Sequence, residues 1–226
     1  SYEGPFGVGY LFASYRIIAP SDKDEIKVYD VFHKQRMLKE RESEHVVVKM
    51  ARNVIENFVK ECQPPRLSYT SKAVVIQGEK YSGEVVEKLL SGRYGTFVSI
   101  KREGNLRGCI GTILPVQKNG IEEIMRNAIS ACSKDYRFEP IEADELYDLT
   151  INVDILSPLR DVKNIEMLDP KKFGIIVSHG NEKGVLLPDI EGVNTVDEQL
   201  TIASNKGGFR VDEIDKIEYF TVERYL

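Results

Sequence analysis

The residues with the clearest chemical potential lie in the stretch NLRGCIGTI, residues 105–113. Gly108 and Gly111 remove side chains on both sides of Cys109, so that another backbone or a ligand can come close. Arg107 can hold a carboxylate or phosphate through two parallel hydrogen bonds, and it favours the thiolate form of a nearby cysteine. The stretch therefore predicts an anion-binding or thiol site. The alternative for Cys109, which we favour, is a small buried packing residue, and Arg107 has an ion pair as its alternative.

Three further places in the chain supply candidate site residues. SKDYRFEP, residues 133–140, places Asp135 and Arg137 just beyond a predicted helix, where loops often carry sites, although a helix-end cap is the simpler explanation. His179 lies between a predicted strand and a glycine turn, where a general base or a solvated residue would be at home. Lys206, at the end of a predicted helix, is a candidate ligand contact, with a favourable interaction with the helix dipole as its alternative.

Composition narrows the class of protein. The chain has 226 residues, 42% hydrophobic and 30% charged, which is typical of a soluble globular protein with one or two domains. The net charge of −5 disfavours nucleic-acid binding by the whole molecule. Three cysteines without a CxxC pair indicate free thiols in a reducing cytoplasm, and no histidine or carboxylate spacing predicts a metal site. We expect no cofactor.

Periodicity predicts the elements that position these residues. Apolar residues at three- and four-residue steps predict helices over 44–62, with Ser43 as the cap, and from Gly120 onward. A short helix is expected at 83–90, and residues 66–83 are expected to be irregular apart from a strand at 73–77. A capping box of Thr195 and Glu198 begins a third long helix that ends at Lys206.

Strand patterns are equally clear. Residues 97–113 predict a β-hairpin that turns at 103–105, and residues 173–190 predict a second hairpin. Residues 147–156 alternate between apolar and polar side chains, and IEYFTVERY predicts one final strand. Hairpins outnumber strand–helix–strand units, so we predict an α+β fold with antiparallel or mixed sheets and no internal repeat.

The stretch GTFVSIKREGNLRGCIGTI resembles the AMMECR family, whose hallmark hexapeptide LRGCIG is present as residues 106–111. Further matching segments follow in the family's order: Asp135-Tyr136-Arg137-Phe138, ILSP at 155–158, SHG at 178–180 and GVLLP at 184–188. Gly207 and Glu139 depart from the family's usual residues. The resemblance covers about residues 45–226 and implies a two-subdomain α+β fold with the hexapeptide near the groove between the subdomains. It implies no established reaction.

The opening residues SYEGPFGVGYLFASY predict a strand from Val8 to Ile17 that closes an earlier domain or pairs with another chain. They are similar to the end of class III extradiol-dioxygenase-like and Memo-like domains, which some bacterial proteins fuse ahead of an AMMECR domain. Residues 1–17 are therefore assigned to such an upstream domain, 18–42 to a charged linker, and 43–226 to the AMMECR-like domain. The resemblance also implies a radical-SAM pathway partner.

Three functions remain as hypotheses. The first, which we favour slightly, is a catalysis-associated or substrate-handling protein in which Cys109, Asp135 and His179 act around an anion held by Arg107. The second is a protein-binding or scaffold module with an exposed apolar patch. The third and weakest is RNA binding through a sheet face.

Overall fold

The structure, a computed structural model, describes residues 2–3, 9–10 and 22–226, with side chains from residue 33 onward. It contains two units, residues 1–40 and residues 41–226. In the first unit, strands β1 (Tyr2–Glu3) and β2 (Gly9–Tyr10) pair antiparallel. The predicted strand Val8–Ile17 otherwise lies outside the described residues. The segment 18–42, expected to be a linker, is helical from Asp22, because helix α1 covers Asp22–Ser43.

The second unit alternates short helices with antiparallel strands. Its helices are α2 (Val46–Glu61), α3 (Glu84–Ser91), α4 (Gly120–Ser133) and α5 (Val196–Gly207). Its strands are β3 (Leu67–Tyr69), β4 (Ala73–Ile76), β5 (Glu79–Ser82), β6 (Thr96–Arg102), β7 (Asn105–Thr112), β8 (Leu149–Leu156), β9 (Arg160–Asp161), β10 (Gly174–His179), β11 (Glu182–Leu186), β12 (Lys216–Phe220) and β13 (Val222–Tyr225).

In residues 41–226 these strands form three sheets, in which every pairing is antiparallel. The first four-stranded sheet has the order β13-β8-β6-β7, the second has the order β11-β10-β12-β9, and β3, β4 and β5 form a small third sheet. The α+β prediction is confirmed. Residues 66–83 were expected to hold one strand at 73–77 and instead hold the whole third sheet.

The two large sheets repeat one topology, so the prediction of no internal repeat is wrong at the level of the fold. In each, a β-hairpin is followed by a helix and then by a strand that pairs with the first strand of the hairpin: β6-β7-α4-β8 and β10-β11-α5-β12. The hairpin turns share a short motif, GNLRG at 104–108 and GNEKG at 180–184. The repeat is evident from the order of the strands, and this turn motif is the similarity in sequence that accompanies it.

The two repeats exchange their last strands. After β8 the chain passes into β9, at the edge of the second sheet, and after β12 it passes into β13, at the edge of the first. At the crossing, Ser157 N donates to Thr221 O and Thr221 N donates to Ser157 Oγ, each at 2.9 Å. The final strand predicted over IEYFTVERY is therefore two strands in different sheets, separated at Thr221.

Helix boundaries follow local capping. Helix α2 begins at Val46 because His45, not Ser43, is its N-cap, and His45 Nδ1 accepts from Val47 N at 3.3 Å. The predicted capping box on α5 is confirmed for Thr195 and Glu198. Helices α2 and α4 pack on one face of the first sheet and bury its main apolar core, which leaves the opposite face of that sheet for the candidate site.

Candidate functional site

The two glycines beside Cys109 admit neighbouring parts of the protein. A Cβ atom on Gly108 would lie 2.2 Å from the carbonyl oxygen of Ala131, near the end of α4. A Cβ atom on Gly111 would lie 2.2 Å from the ring of Phe97 on the adjacent strand. Glycine at both positions therefore allows the helix to approach β7 on one face and an aromatic ring to cover it on the other. A ligand contact by either glycine stays a prediction.

Asp135 and Arg137 close the free edge of β7 at Cys109. Cys109 lies opposite Ser99 in a non-hydrogen-bonded pair of the antiparallel ladder, so its N–H and C=O groups point away from β6. Cys109 N donates to Asp135 Oδ2 at 2.8 Å, and Arg137 Nη2 donates to Cys109 O at 3.1 Å. The two side chains thus take the place of a further strand, which protects an otherwise open edge.

The charge state of Asp135 is fixed by the same contacts. Arg137 donates to both of its oxygens, at 2.8 and 2.7 Å, and the carboxylate is only 2% exposed. The hydrogen bond from the Arg137 guanidinium, reinforced by backbone N–H groups, holds the pKa of Asp135 well below its usual range. Such a carboxylate stays ionised and accepts protons poorly, which fits an edge clamp; the catalytic role predicted for Asp135 stays a prediction.

Arg107 anchors the loop that follows α4. Strand β7 has a bulge at this residue, which interrupts the regular alternation of side chains between the two faces of the sheet. Arg107 binds Glu145 through two bonds of 2.8 Å, from Nε and Nη2, and donates to the carbonyl oxygens of Glu139 and Pro140. The Arg107 hydrogen bonds lower the pKa of Glu145. These contacts use four of the five guanidinium N–H groups, which leaves one for a ligand. Ligand binding by Arg107 stays a prediction.

A cavity of about 320 Å³ opens beside Arg107 at the turn of the hairpin. Its lining consists of Arg102, Glu103, Asn105, Leu106 and Arg107.

A polar row crosses three strands on the face of the sheet opposite α4. Ser99 lies directly between Cys109 on β7 and Asn152 on β8, as the strand register shows. The Cys109 Sγ and Ser99 Oγ atoms are 3.2 Å apart and share a hydrogen bond. All three side chains are half-buried, so the row can be reached from solvent. Cys109 is therefore part of a polar surface and not of the apolar core.

An ion pair borders this row. Arg224 on β13 donates from Nε and Nη2 to the two oxygens of Asp154, at 2.8 and 2.9 Å. Asp154 is 6% exposed, whereas Arg224 is 48% exposed. The Asp154 hydrogen bond is the main cause that raises the pKa of Arg224. Arg137 contacts the Cys109 carbonyl oxygen and Arg224 lies on the strand next to β8, so two partly exposed guanidiniums border the row.

His179 and Lys206 belong to the second repeat. The Nδ1 atom of His179 lies 3.4 Å from Asp215 Oδ2, and its ring centroid lies 5.7 Å from that of Phe209. Lys206 is exposed in the last turn of α5. Neither has a hydrogen bond or ion pair with Cys109. The structure therefore brings Cys109, Asp135 and Arg137 into direct contact. A joint role with His179 or Lys206 stays a prediction.

Four side chains at this surface were not identified from the sequence: Ser99, Asn152, Asp154 and Arg224. Asn152 and Asp154 carried a signal, because they lie on the polar side of the alternating strand. Arg224 carried none, since its contact depends on the strand exchange between the two repeats. Over residues 33–226, for which side chains are described, no cluster of three or more histidine, cysteine or carboxylate groups could hold a metal ion.

Comparison with known proteins defines the class. The AMMECR1 family model matches residues 48–225, so the chain belongs to the AMMECR1 family. A protein of Thermotoga maritima is 48% identical over 184 residues, which are 80% of this chain and 98% of that protein. A Clostridium acetobutylicum protein is 39% identical over all 226 residues, and the chain spans only 44% of its length.

A solved structure agrees with the fold. The crystal structure of an uncharacterized Pyrococcus horikoshii protein matches with a TM-score of 0.65 at 24% identity, over 79% of this chain and 88% of that chain. In the described part of the chain, no helix has the length and apolar character needed to cross a membrane.

Proposed function

We propose that the polar face around Cys109 binds an anionic small molecule, and that this AMMECR1-family domain handles a substrate for a catalysed reaction. The observation that carries the proposal is the half-exposed row of Cys109, Ser99 and Asn152, bordered by the guanidiniums of Arg137 and Arg224. A thiol, a hydroxyl and an amide in line across adjacent strands can orient a polar ligand by several hydrogen bonds.

The two arginines supply the cationic groups. Each is held by a buried carboxylate through Nε and Nη2, and in the described part of the chain neither donates a hydrogen bond from Nη1. The two N–H groups on each Nη1 can therefore bind a carboxylate or phosphate without loss of the ion pair. Because Asp135 and Asp154 fix the guanidinium planes, the side chains lose little rotamer freedom when a ligand binds.

The contacts favour binding over a cysteine–base mechanism. A cysteine–base mechanism needs a base within hydrogen-bond reach of the thiol. The hydrogen-bond partner of the Cys109 thiol is Ser99, while His179 pairs with Asp215 in the other repeat. Cys109 in this proposal contacts the ligand without forming a bond to it.

Alkylation of Cys109 tests the proposal. In a Cys62→Ser background, Cys109 is the accessible thiol, because Cys132 is buried and burial raises its pKa to about 12. Inorganic phosphate, pyrophosphate and citrate serve as probes, and we expect at least one to slow reaction with iodoacetamide severalfold. Arg224→Gln should remove the protection.

Arg210→Gln is the matched control, because Arg210 also forms an ion pair with a nearby aspartate, Asp212, but lies in the second repeat. Equal protection in Arg224→Gln and Arg210→Gln, or no protection by any probe, would refute the anion site. A labelling rate that rises with a midpoint near the ordinary thiol value of about 8.5 would exclude an activated nucleophile and leave the binding proposal intact.

A protein-binding module is the second candidate, and the loop after β7 favours it. Leu114 and Val116 are 55% and 53% exposed. The loop is nevertheless tightly held, because the fully buried Glu123 accepts from Val116 N and Gln117 N. Arg93 also donates to the carbonyl oxygens of Pro115 and Gln117. A rigid loop that displays two apolar side chains suits contact with another protein.

A further inference from the structure

The two repeats differ in how the helix-bearing face of each sheet is covered. In the first repeat, α4 covers one part of this face, and α2 packs against both α4 and β8. Ile124 of α4 and Ile151 of β8 are each only 1% exposed in this core. Two helices thus complete the first repeat.

Strand register identifies the equivalent positions in the second repeat. Gly108 pairs with Ile100, which pairs with Ile151; in the same way Gly184 pairs with Val177, which pairs with Ile217. Ile151 and Ile217 are therefore equivalent.

The helices correspond as well. Ile124 is the fifth residue after the N-cap Asn119, and Leu200 is the fifth after the N-cap Thr195. The position of α2 in the first repeat therefore corresponds to the surface over Leu200 and Ile217 in the second.

At that position the second repeat has a cavity of about 350 Å³. Its floor is apolar, with Leu200 and the half-buried Ile217, and Val211 and Ile165 stand at its rim 41% and 48% exposed. The complete lining is Val162, Lys163, Asn164, Ile165, Leu200, Val211, Ile214, Asp215, Lys216 and Ile217. A cavity at the lower end of the usual range of ~300–1,000 Å³ admits a few side chains and not a whole helix.

We propose that this cavity is the docking site for an amphipathic helix of a partner protein, in the position that α2 holds in the first repeat. Apolar side chains at i, i+3 and i+4 of the partner helix enter the cavity, as in other helix-in-groove complexes. The proposal is independent of the anion site, since none of the cavity residues belongs to the polar row.

Charge at the rim specifies the partner further. Lys216 is already paired with Asp161 and Glu218, at 2.9 and 2.8 Å. Asp215 accepts from Gly180 N at 2.8 Å. Lys163 is exposed and has no ion pair among the residues with described side chains. The partner helix therefore carries an acidic residue beside its apolar stripe, which pairs with Lys163.

A peptide with the sequence of residues 46–61 is a suitable probe, because α2 has the required apolar stripe and carries Glu56 beside Val54 and Ile55. A hydrocarbon staple on its polar face keeps the short peptide helical, since isolated helices of this length are marginal. Fluorescence anisotropy with the full chain should show saturable binding below about 1 mM. A peptide of the same composition with a scrambled apolar stripe should not bind.

Two surface variants locate the binding site. Val211→Asp places a carboxylate against the apolar stripe and should weaken binding at least about tenfold. Lys163→Glu should weaken it about threefold or more, and less so at high salt. Ile190→Asp, at an apolar residue of the second repeat that is 39% exposed and does not line the cavity, is the matched control and should bind as the unmodified chain does. Val211 and Lys163 are both exposed, so neither substitution should unfold the chain. An unchanged melting temperature of each variant checks this.

Absence of saturable binding by the stapled peptide would overturn the proposal. Equal affinity in Val211→Asp and Ile190→Asp would also overturn it, because the peptide would then bind elsewhere. Decanoate serves as a small-molecule probe with an apolar body and one carboxylate. If Val211→Asp and Lys163→Glu both weaken the binding of decanoate while the peptide does not bind, the cavity is a ligand site and the helix proposal is wrong.

Discussion

The close approach of α4 to the hexapeptide strand predicts a large effect of Gly108→Ala. The added Cβ atom would lie 2.2 Å from Ala131 O and 3.2 Å from Ala131 C. The Cβ atom would therefore be ~1 Å closer to Ala131 O than an ordinary van der Waals contact allows. The obstructing oxygen belongs to the helix backbone, which cannot rotate aside as a side chain would. Overpacking of this kind costs about 1–3 kcal/mol, and the rigid neighbour places Gly108→Ala at about 3 kcal/mol.

The expected result is a clear loss of stability. For a domain of this size, 1 kcal/mol corresponds to about 2–4 °C in melting temperature, so Gly108→Ala should lower it by about 6–12 °C. Thermal melting followed by circular dichroism, together with urea unfolding at fixed pH, measures both quantities. Gly184→Ala provides an internal test, since its Cβ would lie 1.7 Å from Ala203 O in the second repeat. It should cost at least as much.

Gly104→Ala is the control for the loss of glycine itself. Gly104 has φ +80° and open space around its Cβ position, so alanine there costs about 1–2 kcal/mol through the left-handed backbone alone. If Gly108→Ala destabilises the chain less than Gly104→Ala, the packing explanation is wrong. Retained stability with lost anion protection of Cys109 would instead assign Gly108 to the ligand.

Three further substitutions test the contacts around the hexapeptide. Asp135→Asn should lower the free energy of unfolding by about 2 kcal/mol at pH 7. Because the pKa of Asp135 is lowered in the folded chain, its carboxylate stabilises the fold fully above the pKa of about 3.9 in the unfolded chain. The difference in stability between Asp135→Asn and the unmodified chain should therefore narrow when urea unfolding is repeated below that pH. Arg107→Lys keeps the positive charge but loses the two-bond contact with Glu145. Limited proteolysis should then show earlier cleavage within residues 139–145. Unchanged cleavage would contradict the anchoring role of Arg107. Glu123→Gln weakens two hydrogen bonds to the loop after β7 and one to Thr112 at the end of β7. It should cost about 1–3 kcal/mol in urea unfolding, with no loss expected if the loop is held by Arg93 alone.

Local patterns were enough to predict most of the elements. The hairpin around the hexapeptide, the helix from Gly120, the strand over 149–156 and the capping box at Thr195 all depend on residues within one or two turns of each other. The third sheet was missed because its three strands have at most four residues each, too few for a clear period. The cap of α2 was misplaced because His45, an uncommon N-cap, takes the role expected of Ser43.

The candidate site was only partly predictable. Cys109, Asp135 and Arg137 were each identified from their residue types, but their relation was not, because it depends on which edge of the sheet β7 occupies. The sequence likewise indicated that the glycines admit a close neighbour without showing that this neighbour is Ala131 or Phe97. The expected convergence of His179 with Cys109 is not seen in their contacts, since each belongs to a different sheet.

The sequence by itself determined the family, the α+β class and the hairpin that carries the hexapeptide, because periodicity, turn residues and the motif are properties of neighbouring residues. The tertiary structure alone decided that Arg224 pairs with Asp154, 70 residues away, and that β8 and β12 each continue into the other sheet. It also decided that, within residues 41–226, a cavity lies over Leu200 and Ile217 at the position that α2 holds in the first repeat. Contacts of this kind depend on strand register and helix packing between distant segments, and such pairings leave no periodic pattern in the chain.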